Sequence, residues 1–141
     1  MLNGISPAIS PDLLKLLCEM GHGDEIVLAD SNFPGASLAR HLIRADGLSI
    51  STLLEGIAPL FPLDSYADPL IMMEVVDGDR KDPAVEADYM AAIRRHQPGI
   101  PSPVYIERNA FYERSRSAYA ILMTGETRVY GNLILKKGVI A

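Results

Sequence analysis

The feature that most constrains the fold is a short apolar run, Ile26-Val27-Leu28-Ala29, with polar residues on both sides. A continuous β-branched and aliphatic run of this length is typical of a strand buried in a sheet. His22 precedes the run between two glycines, and Asp30 follows it directly. A histidine and a carboxylate at the borders of a buried strand are residue types suited to proton-transfer chemistry.

A helix is predicted just before this strand. Ser10 is a favoured N-cap, Pro11 suits the first helical position, and Asp12 favours the positive end of the helix dipole. Leucines at helical spacing give the segment an apolar face. Gly21 is expected to end the helix as its C′ residue. His22 then leaves directly from the helix end, on a short connection to the strand.

The rest of the chain alternates between predicted strands and helices. The patterns predict a loop at 31–35, strands at about 41–45 and at 70–76, 104–107, 119–123 and 132–136, and helices from a Ser51 cap to about residue 60, at 83–96 and at 110–118. Residues 37–45 also fit a helix. This order predicts an α/β protein, a three-layer α/β/α single domain over residues 1–141, with a mixed, largely parallel sheet. The closing strand-turn-strand pair is expected to supply the antiparallel element.

Composition excludes several functional classes. The 141 residues carry a net charge of −5 and no basic block, so the chain lacks the electrostatic footprint of a nucleic-acid-binding protein. One cysteine excludes an internal disulfide or a multi-cysteine metal site. No leader pattern and no apolar run of about 20 residues is present, so we expect a cytoplasmic protein without a membrane span. No zinc-site spacing or nucleotide-binding motif occurs, so neither a metal nor a cofactor is implied.

Four ionisable residues flank the first strand, and each has two interpretations. His22 is a candidate general acid, because imidazole gives and takes a proton near neutral pH; the alternative is a polar loop residue at the helix end. Asp24 and Glu25 either orient the imidazole or act as base, or they form a solvated turn. Asp30 is a candidate partner for ligand hydroxyls, since a carboxylate behind a buried strand is costly to desolvate; the alternative is a turn cap.

A second candidate group follows the fourth predicted strand. Arg108 lies just after that strand and has the geometry to bind sugar or carboxylate oxygens in a fork. The alternative is a surface ion pair with Glu107 or Glu113. The aromatic residues Phe111 and Tyr112 are expected to belong to the core or to an interface.

The triplet Tyr130-Gly131-Asn132 precedes the last predicted strand. A phenol, a glycine backbone and an amide together form a compact hydrogen-bonding group of the kind that holds a small polyol. A simple turn has the same composition. His41 and His96 lie within or at the end of regular segments, and we expect them to be structural or surface residues.

Several segments occur together in a way that resembles a known family. They are Met20 to Ile26 followed by Asp30, then Ile43 to Gly47, Phe111 to Arg114, Tyr130 to Asn132, and Leu135 to Gly138. In combination they are similar to the family of fucose mutarotases and D-ribose pyranases, over almost the whole chain. Arg108, in a position where a histidine would fit the ribose branch, favours the fucose branch.

This resemblance implies a cytoplasmic isomerase that interconverts sugar anomers without metal or cofactor, with L-fucose as the expected monosaccharide. It implies that His22 is the proton donor and that Asp30, Arg108, Tyr130, Gly131 and Asn132 contact the substrate. It also implies a homo-oligomer, a ring-shaped decamer with sites near the subunit contacts. The alternatives are a D-ribose pyranase-like activity and a sugar-binding module without catalysis.

Overall fold

In the computed structural model, which describes residues 1–141, six strands form one sheet and five helices flank it. The strands are β1 (Glu25–Ala29), β2 (Leu42–Ala45), β3 (Leu70–Met73), β4 (Val104–Ile106), β5 (Ala120–Thr124) and β6 (Leu133–Lys136). The helices are α1 (Pro11–Glu19), α2 (Gly35–Leu38), α3 (Ile50–Ile57), α4 (Pro83–Arg94) and α5 (Arg108–Ser117). The predicted α/β class is confirmed.

The strand order of the sheet is β2-β5-β1-β6-β3-β4. Neighbours are parallel except at β6, which runs antiparallel to both β1 and β3. The sheet is therefore mixed and largely parallel, as predicted. The predicted pairing of the last two strands is wrong: β6 does not pair with β5, because the connection 125–132 crosses the carboxyl end of β1 and delivers β6 to its far side.

Strand β1 is apolar throughout because both of its faces are covered. Ile26 and Leu28 belong to a core formed with α1, α3 and α4. Val27 and Ala29 point to the opposite face and belong to a core that includes Phe111 of α5. Side chains of a strand alternate between faces, so a sheet with helices on both sides requires this uninterrupted run. The three-layer arrangement follows.

The N-terminus of α1 forms as predicted. The Ser10 hydroxyl accepts the backbone N–H of Leu13 at 3.1 Å. Gly21 occupies the predicted position behind the helix, but its backbone N–H donates to the Asp24 carboxylate at 2.7 Å. The left-handed conformation expected of a C′ glycine occurs at Gly23, where φ is 86°. Helix and strand are thus joined by a turn that Asp24 closes.

The predicted cap of α3 is wrong, because Ser49 and not Ser51 begins this helix. The Ser49 hydroxyl accepts the backbone N–H of Thr52 at 3.2 Å, which turns Ile50 into the core. Ser51 lies in the first turn, where its buried hydroxyl has no hydrogen-bond partner. Both serines suit a cap by residue type, and burial of Ile50 decides between them.

The segment 37–45 contains both elements that its pattern allows. The short α2 ends at Leu38, and the edge strand β2 begins at Leu42. Gly35 begins α2 close to β5, since a Cβ added there would lie 2.3 Å from the sulfur of Met123. The predicted loop over 31–35 is confirmed for residues 31–34, and only Gly35 belongs to the helical turn that is pressed against the sheet.

Strand β3 ends before the predicted residue 76 because its partner β4 ends at Ile106. The last hydrogen bond between them joins the Glu74 N–H to the Ile106 carbonyl at 2.8 Å. Glu107 then caps α5, accepting two backbone N–H groups of its first turn. The helix consequently begins at Arg108, earlier than the predicted residue 110, and Arg108 comes to the carboxyl edge of the sheet.

Candidate functional site

A cavity of about 430 Å³ opens at the carboxyl ends of β1 and β3. Four of the predicted substrate-binding residues, Asp30, Arg108, Tyr130 and Asn132, line it. They come from three parts of the chain: the end of β1, the start of α5, and the connection into β6. Because β6 is antiparallel to β1 and β3, its beginning lies at the same edge as their ends.

Asp30 is fixed within this cavity by its neighbours. Its backbone N–H donates to the side-chain oxygen of Asn132 at 2.8 Å, and its carboxylate accepts the backbone N–H of Asn32 at 3.0 Å. Asp30 is only 5% exposed, and this burial raises the pKa of its carboxyl group above the ordinary value, although nearby backbone N–H groups oppose the rise. Asp30 is therefore a desolvated carboxylate facing a cavity, a site where ligand hydroxyls substitute for water.

Tyr130 adopts an unusual backbone conformation beside Asp30. Its φ of 57° is left-handed, which for a residue other than glycine costs on the order of 1–3 kcal/mol. The Tyr130 hydroxyl donates to the Asp79 carboxylate and accepts the Val76 N–H at 3.5 Å. The bond to Asp79 raises the pKa of the Tyr130 phenol. The strained residue thus ties the connection into β6 to the loop that follows β3.

Gly131 does not line the cavity. Its carbonyl group is hydrogen-bonded to Tyr89 on the side away from the cavity. The buried Tyr89 hydroxyl of α4 donates to the Gly131 carbonyl at 2.6 Å and lies 3.3 Å from the Glu126 carboxylate. Burial and the charge of Glu126 raise the pKa of Tyr89 far above its usual range. A Cβ on Gly131 would lie 2.8 Å from the backbone carbonyl oxygen of Arg128 and 3.0 Å from the Tyr89 oxygen, so the position requires glycine.

Glu126 is itself held by Arg128. The Arg128 guanidinium donates to Glu126 at 3.1 Å and to Asp88 of α4 at 2.6 Å. Burial works against ionisation of Glu126, but the guanidinium outweighs it, so the pKa of Glu126 is lowered. The connection 125–132 is therefore anchored on α4 by a charged network beneath the cavity.

Arg108 presents its guanidinium to the cavity without a carboxylate partner. Glu107 is occupied as the cap of α5, and Glu113 pairs with Arg116 at 3.2 Å. Arg108 lies over the ring of Tyr112, with 5.5 Å between the guanidinium carbon and the ring centroid. Hydrogen bonding to Tyr112 raises the pKa of Arg108. The alternative of a surface ion pair with Glu107 or Glu113 is wrong, and no carboxylate of the chain competes with ligand oxygens for the guanidinium.

His22 lies at the opposite edge of the sheet from this cavity. It precedes β1, whereas Asp30 follows it, and a five-residue strand spans roughly 13 Å at about 3.3 Å per residue. The His22 Nε2 atom is 3.1 Å from Asp64, and the ring centroid is 5.3 Å from that of Tyr66. The His22 side chain is 45% exposed. Within one chain, His22 does not meet Asp30, Arg108 or Tyr130.

Asp24 and Glu25 do not contact His22. Asp24 closes the turn behind α1, and Glu25 forms a two-pronged ion pair with Arg114 of α5, at 2.6 and 3.0 Å. The predicted solvated turn is thus partly right, since Asp24 is a turn residue, but Glu25 is bound by α5. His41 packs near Tyr119 and His96 binds Glu55, which agrees with structural roles.

Two charged residues of the cavity, Asp79 and Arg80, were not predicted from the sequence. The segment Asp77-Gly78-Asp79 was identifiable only as the end of a strand. The available signal was positional: ligands bind at carboxyl ends of parallel strands, and this loop follows such a strand next to Arg108. No cluster of three or more His, Cys, Asp or Glu side chains is arranged to hold a metal, and no helix is long and apolar enough to cross a membrane.

The fold and the cavity define a class, the α/β proteins with a polar cavity at the carboxyl edge of the sheet, which is where such folds usually bind small ligands. The chain belongs to the RbsD / FucU transport protein family, whose profile matches residues 3–140. It is 57% identical over 140 residues to an L-fucose mutarotase of Histophilus somni strain 129Pt, covering 99% of this chain and 97% of that protein.

Solved structures of relatives agree with this assignment. A fucose mutarotase from Streptococcus pneumoniae, determined in complex with L-fucose, is 53% identical and superposes with a TM-score of 0.92, covering 99% of this chain and 100% of that chain. RbsD of Bacillus subtilis, determined with D-ribose, is 20% identical, with a TM-score of 0.74 and full coverage of both chains. The second likeness concerns the fold alone.

Proposed function

We propose that this protein is a mutarotase that interconverts the α and β anomers of L-fucose. The observation that carries the proposal is the likeness, over nearly the whole chain, to a fucose mutarotase that holds L-fucose. The cavity supports it, because a desolvated carboxylate at Asp30 and a free guanidinium at Arg108 suit a ring rich in hydroxyls. The proposal includes a cytoplasmic location and no metal or cofactor, as the resemblance implies.

Mutarotation requires two proton movements. One proton is added to the ring oxygen and one leaves the anomeric hydroxyl, so that the hemiacetal opens to the aldehyde. After rotation the ring closes on the other face and both movements reverse. An imidazole serves both directions because it exchanges protons near neutral pH, and such catalysis contributes about 10²–10⁴-fold. His22 is the residue to which we assign the proton on the ring oxygen.

The site proposed here needs two copies of the chain. His22 lies at one edge of the sheet and the cavity at the other, so a single chain cannot present both to one sugar. We assign His22 of one subunit to the cavity of its neighbour. The exposed Tyr66 beside His22 belongs to the same surface. A closed ring, the decamer that the resemblance implies, would complete each site in this way.

The remaining residues hold the ring. Asp30 and Arg108 bind hydroxyls so that only the anomeric centre rearranges. The Asn132 oxygen is occupied by the Asp30 N–H, which leaves its NH₂ group for a sugar oxygen. The hydroxyl of Tyr130 already donates to Asp79, so it offers the sugar a hydrogen-bond acceptor. The Gly131 backbone is held in place by the Tyr89 hydroxyl.

The test is anomer exchange of L-fucose measured by NMR saturation transfer. We expect the parent protein to accelerate exchange and His22→Ala to abolish most of that acceleration while L-fucose still binds. His96→Ala is the matched control, because His96 binds Glu55 away from the cavity. Saturable binding without acceleration by the parent protein would indicate a sugar-binding module instead. Faster exchange of D-ribose than of L-fucose would assign the protein to the pyranase activity.

A further inference from the structure

The imidazole of His22 contacts one carboxylate, that of Asp64. The His22 Nε2 atom lies 3.1 Å from the Asp64 Oδ1 atom. The Asp64 side chain is only 2% exposed, whereas that of His22 is 45% exposed. One edge of the imidazole is therefore bound to a fixed carboxylate, and Nδ1 on the other edge has no hydrogen-bond partner within the chain. With the ring turned over, a carbon would face Asp64 and this hydrogen bond would be lost, which supports the orientation.

Asp64 is held rigidly by its own loop and by the end of the sheet. Its carboxylate also accepts the backbone N–H of Tyr66 at 3.1 Å, and its backbone N–H donates to the Lys136 carbonyl at 3.0 Å. The Gly138 N–H donates to the Pro62 carbonyl at 2.7 Å. The loop that carries Asp64 is thus pinned to the segment that follows β6.

The turn that carries His22 is pinned to the same segment. The Gly23 N–H donates to the Lys137 carbonyl, and the Lys137 N–H donates to the Asp24 carbonyl, both at 2.8 Å. Histidine and carboxylate are therefore positioned against each other by one common strand extension. The backbone hydrogen bonds of both the His22 turn and the Asp64 loop therefore fix the distance between the imidazole and the carboxylate.

We propose that Asp64 is a positioning residue that keeps the neutral His22 ring protonated at Nε2 and leaves Nδ1 to exchange the proton with the sugar. This inference rests on the proposed function. In the imidazolium, Nδ1–H donates its proton to the ring oxygen as the ring opens; in the neutral ring, the Nδ1 lone pair takes that proton back as the ring closes. The anomeric hydroxyl gives its proton to water and regains one from water. The Nε2–H proton stays on His22, hydrogen-bonded to Asp64, in both states, so His22 exchanges protons with the sugar only through Nδ1.

The charged surroundings agree with this assignment. The Tyr66 N–H, followed by the hydrogen bond and charge of His22, lowers the pKa of Asp64 despite the opposing effect of burial, so the carboxylate stays ionised. Two further charged groups on the packed elements have partners of their own: Asp24 accepts the Gly21 N–H, and the Lys137 ammonium donates to the Met20 carbonyl at 2.5 Å. Neither hydrogen-bonds to the imidazole.

The test that does not depend on activity is nitrogen NMR of the full-length protein with ¹⁵N-labelled histidine, assigned with His22→Gln. We expect the neutral ring to show a protonated Nε2 and an unprotonated Nδ1, with a slowly exchanging Nε2 proton. Asp64→Ala should remove the exchange protection and mix the tautomers, whereas Asp68→Asn, a nearby carboxylate variant, should not. A parent spectrum with the proton on Nδ1, or Asp64→Ala shifts equal to the parent, would overturn the proposal.

Kinetics then separates positioning from folding. Asp64→Ala should lower the exchange rate at saturating L-fucose by about ten- to a hundredfold, as misplacement of a catalytic group does, with the sugar affinity unchanged. Asp64→Asn, which keeps the shape and an acceptor oxygen, should lose less than Asp64→Ala. An equal loss in both, accompanied by a changed oligomeric state, would contradict the positioning role. If the parent protein lacks mutarotase activity, the proposed function fails, and the NMR result still decides the tautomer.

Discussion

The side-chain oxygen of Asn132 accepts the backbone N–H of Asp30 at 2.8 Å, although 102 positions separate the two residues in the sequence. This bond fixes the residue that directly follows β1 to the residue that directly precedes β6. Both line the cavity, and both are buried. The geometry of the candidate site therefore depends on a contact that forms only when the last strand is in place.

Asn132→Ala should loosen this contact. The buried Asp30 N–H loses its acceptor, and an unsatisfied buried donor costs about 1–3 kcal/mol. We expect a lower free energy of unfolding in urea and weaker L-fucose binding by calorimetry. Asn109→Ala on the exposed start of α5 is the control and should change neither. If Asn132→Ala bound L-fucose as tightly as the parent protein, the bond between Asn132 and Asp30 would have no role in sugar binding.

Asp30→Asn should weaken binding while leaving the fold equally or more stable at neutral pH. A hydrogen bond to a charged group contributes about 1.5–3 kcal/mol, which corresponds to a roughly ten- to hundredfold loss of affinity. The free energy of unfolding of Asp30→Asn is expected to equal or exceed that of the parent at neutral pH, because the buried charge is removed. Burial raises the pKa of Asp30 in the folded state, so the folded protein binds more protons than the unfolded chain above the ordinary pKa.

Consequently, the Asp30 contribution to stability is present at low pH and is lost as pH rises through the raised pKa. The measurement is urea unfolding of parent and Asp30→Asn across the acidic range. As pH rises through the raised pKa of Asp30, the free energy of unfolding of Asp30→Asn should increase relative to that of the parent protein. A variant that is less stable than the parent at every pH would contradict the desolvation argument.

Tyr89→Phe should disturb the cavity from beneath. The Gly131 carbonyl loses its 2.6 Å donor, and we expect a loss of stability of about 1–2 kcal/mol together with weaker sugar binding. Tyr119→Phe removes an exposed phenol bonded to Glu19 and serves as the control, with little effect expected on either quantity. If Tyr89→Phe and Tyr119→Phe both bound L-fucose as tightly as the parent protein, the hydrogen bond from Tyr89 to Gly131 would not support the cavity.

Arg108→Ala should reduce L-fucose affinity by about tenfold or more, since a charged hydrogen bond is lost. Arg116→Ala, on the same helix and paired with Glu113, should leave affinity unchanged. Arg108→Lys should recover little, because an ammonium cannot form the planar fork of a guanidinium. Equal affinities of Arg108→Ala and the parent protein would remove Arg108 from the binding site.

Subunit complementation tests whether His22 acts on a neighbour. At an L-fucose concentration well below saturation, His22→Ala should be nearly inactive alone, and Arg108→Ala should retain about a tenth of parental activity or less. Co-expressed in equal amounts, they should regain about a quarter of parental activity, because a quarter of randomly assembled sites pair an intact His22 with an intact cavity. Should the mixture stay as inactive as its components, each site would lie within one chain.

The sequence predicted the elements whose signals are local. The doubly buried β1 and the Ser10 cap depend on neighbours within a few residues, and both form as expected. The choice between Ser49 and Ser51 could not be made locally, since it depends on which register buries Ile50 in the distant core. The pairing of β6 with β1 and β3 is likewise decided by long-range packing.

For the candidate site, the sequence identified residue types but not their separation. His22 and Asp30 bracket β1, and a strand holds its two ends apart by its own length, so their division between two edges was deducible from the prediction of the strand. The network of Tyr89, Glu126 and Arg128 was not deducible. It depends on α4 lying under the connection 125–132, and nothing in the local pattern of either segment indicates that contact.

The central place of β6 also bears on how the protein is made. The strands β2, β5 and β1 form one parallel group, β3 and β4 form another, and only β6 joins them. Because β6 comes after every other strand in chain order, a ribosome must finish nearly all of the chain before the sheet can close. Until then, the edges of β1 and β3 that β6 will cover are unpaired, and an unpaired strand edge readily pairs with another chain.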